Sequence, residues 1–211
     1  MKNLINNLIK NGYLKTPEIT SAFYKIDRTD FIPEELKSEA AANTPLSIGY
    51  GQTISQPLTV AFMLELLEPK EGDKILDVGS GSGWQSSLLA FIAGKEGRVF
   101  AIERIPELLE FGKENSQKYS RRSESNFENL KFILGDGSKG YEKEALYDKI
   151  IVAASAFSEI PKELKRQLKI GGRLVIPVEN SIWLIVKKAE DKYEKQEFPG
   201  FVFVPLVEKE D

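Results

Sequence analysis

The chain has 211 residues, 41% of them hydrophobic, enough to bury one sizeable core with an extension. Its 29 Lys and Arg stand against 32 Asp and Glu, a net charge of −3, so the total shows no bias toward nucleic acid. Cysteine and histidine are both absent, which excludes disulfides, thiolate nucleophiles, Cys- or His-ligated metals and Ser-His-Asp catalysis.

No apolar run reaches the length of a bilayer span, and the N-terminus lacks a signal-peptide apolar stretch. A cytoplasmic protein is expected. Residues 2–12 and 17–26 read as two short amphipathic helices. Leu4, Ile5, Leu8 and Ile9 form one apolar stripe; Ala22, Phe23 and Ile26 form the other. Asn11-Gly12 reads as a helix stop, and Thr16-Pro17-Glu18 as an N-cap with proline at the first helical position.

Residues 27–56 are rich in Pro, Gly, Ser and Thr and show no sustained period. Phe31, Ile32, Leu46, Ile48, Tyr50 and Ile54 argue against disorder there, so an ordered loop beside the ligand site is expected. Gln56-Pro57 then starts a helix with a broad apolar face from Val60 to Leu67.

Lys74 to Gly83 is the centre of the chain. Ile75, Leu76 and Val78 suit a strand buried in a parallel sheet. Gly79, Gly81 and Gly83 form a turn that lets a ligand approach the backbone, and a helix follows from Trp84. Further strands are expected at 98–102, 130–134, 149–153, 173–178, 182–187 and 201–206. Helices are expected at about 106–119 and from Pro161 through Leu164 and Leu168 to a stop at Gly171-Gly172. The Arg121-Arg122 and Lys187-Lys188 pairs read as solvated loop charges. Alternating strands and helices predict an α/β fold, Rossmann-like, with a mostly parallel sheet, an antiparallel edge and an N-terminal helical and loop extension. One domain over 1–211 is expected: 1–70 as helices and loop, 71–180 as the ligand-binding core, 181–211 as edge strands.

The loop spacing is G-x-G-x-G, not the G-x-G-x-x-G of dinucleotide sites, which argues against a nicotinamide dehydrogenase. Asp77 stands before the first glycine, where a carboxylate repels a pyrophosphate and suits a ligand with a positive end. Glu103 lies twenty residues after Gly83, at the distance where an acidic residue accepts from ribose hydroxyls. A ribose, a positive end and no phosphate point to S-adenosylmethionine. Asp136, within Gly135-Asp136-Gly137, reads either as a partner of the adenine amino group or as a turn-former.

With these residues in place, the chain resembles the protein-L-isoaspartate(D-aspartate) O-methyltransferase family from about residue 20 onward. The most specific stretch is Pro45-Leu46-Ser47-Ile48-Gly49-Tyr50-Gly51-Gln52-Thr53-Ile54-Ser55-Gln56-Pro57, which most methyltransferases of this fold lack. Ile75 to Gly83, Gly135-Asp136-Gly137, Gln167-Leu168 to Gly171-Gly172, and Phe203 to Leu206 match in order. The chain departs from the family pattern at Ala40 to Thr44, at Ala153 where threonine is common, and at Glu179 where glycine is usual.

The resemblance implies methyl transfer from S-adenosylmethionine, leaving S-adenosyl-L-homocysteine, to the α-carboxyl of L-isoaspartyl residues in damaged proteins or peptides. It implies an orienting role for Ser55 and cofactor contacts from Thr53, Ile54, Ser55, Asp77, Gly79, Ser80, Gly81, Ser82, Glu103, Gly135, Asp136 and Gly137. It places the substrate against Ser55, Gln56, Pro57, Val204, Pro205 and Leu206, with no metal, nucleic acid or membrane involved and a monomer expected. The alternatives are a methyltransferase of the same fold with a dedicated peptide, small molecule or RNA as substrate, or a non-catalytic binding homologue.

Overall fold

The computed structural model describes residues 1–120 and 127–207. The Arg121-Arg122 pair lies outside them. Seven strands form one sheet: β3 (Lys74–Val78), β4 (Arg98–Glu103), β5 (Leu130–Leu134), β6 (Tyr147–Val152), β7 (Leu168–Val178), β8 (Ser181–Ala189) and β9 (Lys192–Pro199). Their order is β5-β4-β3-β6-β7-β8-β9. The first five are parallel; β8 and β9 add an antiparallel edge. The chain runs outward from β3 to β5 on one side and resumes with β6 on the other. The switch point therefore lies at the carboxyl end of β3, where sheets of this kind bind ligands.

The pleat sorts side chains onto two cores. Ile75, Val99, Ile151 and Val175 face one, and Leu76, Val78, Phe100, Ile150 and Leu174 face the other. The first core is covered by α1 (Lys2–Lys10), α2 (Pro17–Lys25), α3 (Pro57–Leu67) and α4 (Trp84–Ala93). Buried residues run all round α4, which is why it lacks a clean amphipathic pattern. The remaining helices are α5 (Pro106–Ser120) and α6 (Lys162–Arg166).

Four expectations need correction. Residues 27–56 hold regular structure after all: two 3-10 turns, Arg28–Phe31 and Glu34–Glu39, and a hairpin of β1 (Leu46–Gly49) with β2 (Gln52–Ile54). The helix opened by Pro161 ends at Arg166, and Leu168 already pairs with Tyr147 at the start of β7. Residues 169–172 bulge out before the register resumes at Arg173, so Gly171-Gly172 serves a bulge, not a helix stop. The strand expected at 201–206 is absent apart from an isolated bridge between Ser155 and Pro205. The edge is Lys192–Pro199 instead, whose charged residues are exposed on both faces and so show no alternation. Finally, Lys187 lies inside β8 and is buried, with its amine 3.4 Å from Glu190; only Lys188 is exposed.

Candidate active site

A cleft of about 870 Å³ opens over the carboxyl ends of β3, β4 and β6. Its floor is the glycine loop from Gly79 to Ser82. Gly83 ends that loop with φ of 83°, and a Cβ there would stand 2.8 Å from the Gly112 carbonyl oxygen on α5. The loop is thus packed against α5 as closely as glycine permits. Gly137 makes the other close approach: a Cβ would meet Val78 Cγ1 at 2.3 Å.

Glu103, at the end of β4, fastens the loop. Its Oε2 accepts from the Gly81 N–H at 2.9 Å, and its Oε1 accepts from Arg104 and Ile105 N–H at 2.8 and 3.0 Å. It also lines the cleft. A carboxylate has about four acceptor sites, so capacity remains on Oε2 for a hydroxyl in the cleft. Ser80 lines the same space, and its hydroxyl is buried without a hydrogen-bond partner. An orphaned hydroxyl in the wall and a spare acceptor site on Glu103 fit a group that presents hydroxyls and amines.

Thr53, Ile54 and Ser55 form one wall of the cleft, with Gly135 and Gly137 beside the glycine loop. Val204, Pro205 and Leu206 line it too. Although not a strand, this segment is held in place: Ser155 N–H donates to Val204 O, and Leu206 N–H donates to Ser155 O.

Two of the expected contact residues, Asp77 and Asp136, do not line the cleft. Asp77 shares the face of Ile75, because strand alternation turns it toward α4 and away from the cleft. It is fully buried, and its oxygens accept from Gln85 Nε2 at 2.8 Å and Ser86 Oγ at 2.6 Å. Burial pushes its carboxyl up to about 6, against the lowering effect of those hydrogen bonds. Its link to the cleft runs through Gln85, which does line it. Asp136 also stays out of the lining. It caps the 3-10 turn Gly137–Lys139, its Oδ1 accepting from Ser138 N–H and Oγ, as a turn-former would.

A second cavity of about 690 Å³ adjoins the first. Gln56 lines it, together with Pro45, Thr59, Val202 and Phe203; Pro57 is buried at the start of α3 and lines neither space. Thr53, Ser55, Ala153 and Val204 line both cavities. The sequence reading missed Gln85, Arg104, Ile105 and Ala153. Position was the available signal for the last three, since each follows the carboxyl end of a parallel strand. Among the described residues, no group of three or more Asp or Glu is placed to hold a metal ion.

A sequence-family model for protein-L-isoaspartate(D-aspartate) O-methyltransferase matches residues 1–211. A protein-L-isoaspartate O-methyltransferase of Ignicoccus hospitalis is 46% identical over 214 residues, covering 99% of this chain and 98% of its own. An Archaeoglobus fulgidus protein of that name is 47% identical over 192 residues, covering 90% of this chain and 84% of its own. Among solved structures, a Plasmodium falciparum protein assigned to this activity, in complex with S-adenosyl-L-homocysteine, superposes with a TM-score of 0.84. It is 30% identical, with 98% of this chain and 97% of that chain covered.

Proposed function

The chain belongs to the protein-L-isoaspartate(D-aspartate) O-methyltransferase family, and from that premise we propose which of its residues carry the transfer. The enzyme takes a methyl group from S-adenosylmethionine and places it on the α-carboxyl of L-isoaspartyl residues in damaged proteins and peptides. The observation that carries our reading is the junction of the two cavities at Thr53, Ser55, Ala153 and Val204. A donor in the first cavity and an acceptor in the second would meet there and nowhere else along these walls.

When bound, S-adenosylmethionine supplies an electrophilic methyl on a sulfonium centre. The nucleophile needs no activation, since a carboxyl with a pKa of about 4 is already ionised at neutral pH. That accounts for a chain without histidine or cysteine. What the protein must do is hold the two reactants in line and keep water out. Ser55 orients the substrate carboxylate with its hydroxyl. Thr53 and Ile54 wall the transfer point, and Gln56 and Val204 border the acceptor. Pro57 fixes the start of α3 behind them, and Pro205 and Leu206 close the donor side. Glu103 holds a ribose hydroxyl through its remaining acceptor site. Ser80, Ser82, Gly79, Gly81, Gly135 and Gly137 contact the rest of the donor. Asp77 and Asp136 hold the loops that make those contacts.

We further read the enzyme as a monomer acting in the cytoplasm, without nucleic acid or membrane; the net charge of −3 supports the second point. The test of the function is methyl transfer from labelled S-adenosylmethionine to two matched peptides. Label is expected in the L-isoaspartyl peptide and not in the aspartyl one. Equal labelling of both, or none with S-adenosyl-L-homocysteine bound, overturns the reading.

A further inference from the structure

Arg28 is the most unusual charged residue in the fold. It lies in the 3-10 turn Arg28–Phe31 and is fully buried. Its hydrogen bonds all go to backbone carbonyls, none to a carboxylate. Nη1 donates to Ala40 O and Ala42 O, each at 3.1 Å. Nη2 donates to Thr44 O at 2.8 Å and to Ser55 O at 3.2 Å. Its Nε is buried without a partner. The guanidinium lies 5.7 Å from the ring centre of Trp84, the first residue of α4 after the glycine loop. Desolvating such a cation is costly, and no ion pair offsets it here. A hydrophobic residue would fill the site without that cost.

What the arginine achieves is geometric. One planar group ties three alternate carbonyls of the segment 40–44 to the carbonyl of Ser55. The same segment reaches the start of α3 by a second route, because Asn43 Oδ1 accepts from the Leu58 N–H at 3.0 Å. Leu58 N–H is one of the helix's first donors and has no partner inside the helix. Ser55 stands two residues before Pro57, so it is pinned from both sides. The second cavity also carries no charged side chain among its lining residues. A substrate carboxylate there has no lysine or arginine to find it, and the placement of the Ser55 hydroxyl must do that work.

We propose that Arg28 and the segment 40–44 form a clamp that positions Ser55 for the substrate carboxylate. The proposal rests on the reading of Ser55 given above. Arg28 touches neither cavity and is a positioning residue. Lysine cannot replace it, since an ammonium keeps the charge but lacks the planar fork.

The experiment uses Arg28→Lys and Asn43→Ala in the full chain. Each is measured for kcat/KM with an L-isoaspartyl peptide and for S-adenosyl-L-homocysteine Kd by calorimetry. Misplacing a group that aligns reactants costs roughly tenfold to a hundredfold. Arg28→Lys is expected to lose that much in kcat/KM, and Asn43→Ala a smaller part of it, while the Kd stays near the wild-type value. Wild-type kcat/KM in both variants overturns the clamp. So does a Kd that weakens by the same factor as kcat/KM, because a merely structural residue would loosen both sites alike. If Arg28→Lys does not fold, Asn43→Ala, which is half-buried and loses one hydrogen bond, decides by the same criteria. Ser55→Ala is run alongside. Full activity in that variant refutes the reading of Ser55 and the clamp with it; its loss, with wild-type kinetics in both clamp variants, overturns the clamp alone.

Discussion

The two halves of the proposed active site are built by different means. The donor side stands on the ends of parallel strands, and its loops are short because β3 and β4 deliver them directly to the cleft. Glu103 ties three backbone N–H groups together there, and glycines set the close approaches. The acceptor side has no such frame. Segment 40–57 is one small hairpin between irregular stretches and segment 200–207 is irregular, and both are fixed to the rest of the fold by a few contacts to the backbone. Arg28 holds the first, and Ser155 and the Asn180 carbonyl hold the second. A frame made of a sheet tolerates the loss of one side chain; a frame made of single contacts does not. Donor binding and methyl transfer should therefore separate cleanly under mutation.

The sharpest break is Ser55→Ala. Removing the group that aligns the nucleophilic carboxylate with the methyl costs on the order of a hundredfold. That loss is expected in kcat/KM for the isoaspartyl peptide, with S-adenosyl-L-homocysteine affinity kept. A fully active variant would show that Ser55 serves only the turn before α3.

On the donor side the largest expected effect is in stability. Asp77 is ionised at a cost, because burial raises its carboxyl from 3.8 to about 6. The folded state therefore holds this proton more tightly than the unfolded chain. Its contribution is fully present below pH 4 and is lost as the pH rises through 6. Two pH units correspond to about 3 kcal/mol. Asp77→Asn keeps an acceptor for Gln85 and offers an amide to the Ser86 hydroxyl, so it removes the charge without emptying the site. Relative to wild type, the variant should gain about that much stability between pH 4 and 7 in urea titrations. A constant difference across the range would place the proton elsewhere.

Glu103→Gln is expected to do less. The amide has one acceptor oxygen for three backbone N–H groups, and it presents an NH2 where the carboxylate accepted. S-adenosyl-L-homocysteine affinity should weaken about tenfold, the range of one charged hydrogen bond, with kcat at saturating donor nearly unchanged. Unaltered affinity by calorimetry would remove Glu103 from the ligand contacts.

The same contrast decided what could be read in the sequence. The donor side was legible because its strands are apolar and β-branched, and because glycines announce the turns between them. Glu103 was legible by its distance from the loop. Asp77 was placed at the right turn, but alternation along β3 hides its carboxylate behind the loop. The acceptor side was legible only through its resemblance to a family, since residues 45–57 carry no periodic pattern. Phe201 to Leu206 read as a strand from its apolar residues, whereas five of them, Val202 to Leu206, line the cavities instead of a sheet face. The true edge, Lys192–Pro199, was hidden by its charges. Arg28 gave no signal at all. A buried arginine and a surface arginine look alike in sequence, and its partners are carbonyls, which every residue has.

The smallest expected effect tests where strain is stored. Glu179, in the turn between β7 and β8, has φ of 52°, which costs a non-glycine residue about 1–2 kcal/mol. Its side chain is exposed, but its backbone is engaged. Its N–H donates to Ala156 O, and its carbonyl accepts from the Ser155 hydroxyl. Ser155 in turn holds Val204, at the junction of the two cavities, and Leu206, on the wall of the first. Glycine relieves the strain but adds about 0.5–1 kcal/mol of unfolded-chain entropy. Glu179→Gly should therefore stabilise by about 1 kcal/mol or less, a rise in Tm of about 2–4 °C at most for a chain of this size. Because the backbone contacts persist, kcat/KM should stay at the wild-type value. A lower Tm would mean that the glutamate side chain, not the backbone, holds this corner, and a changed kcat/KM would extend the acceptor side to the β7–β8 turn.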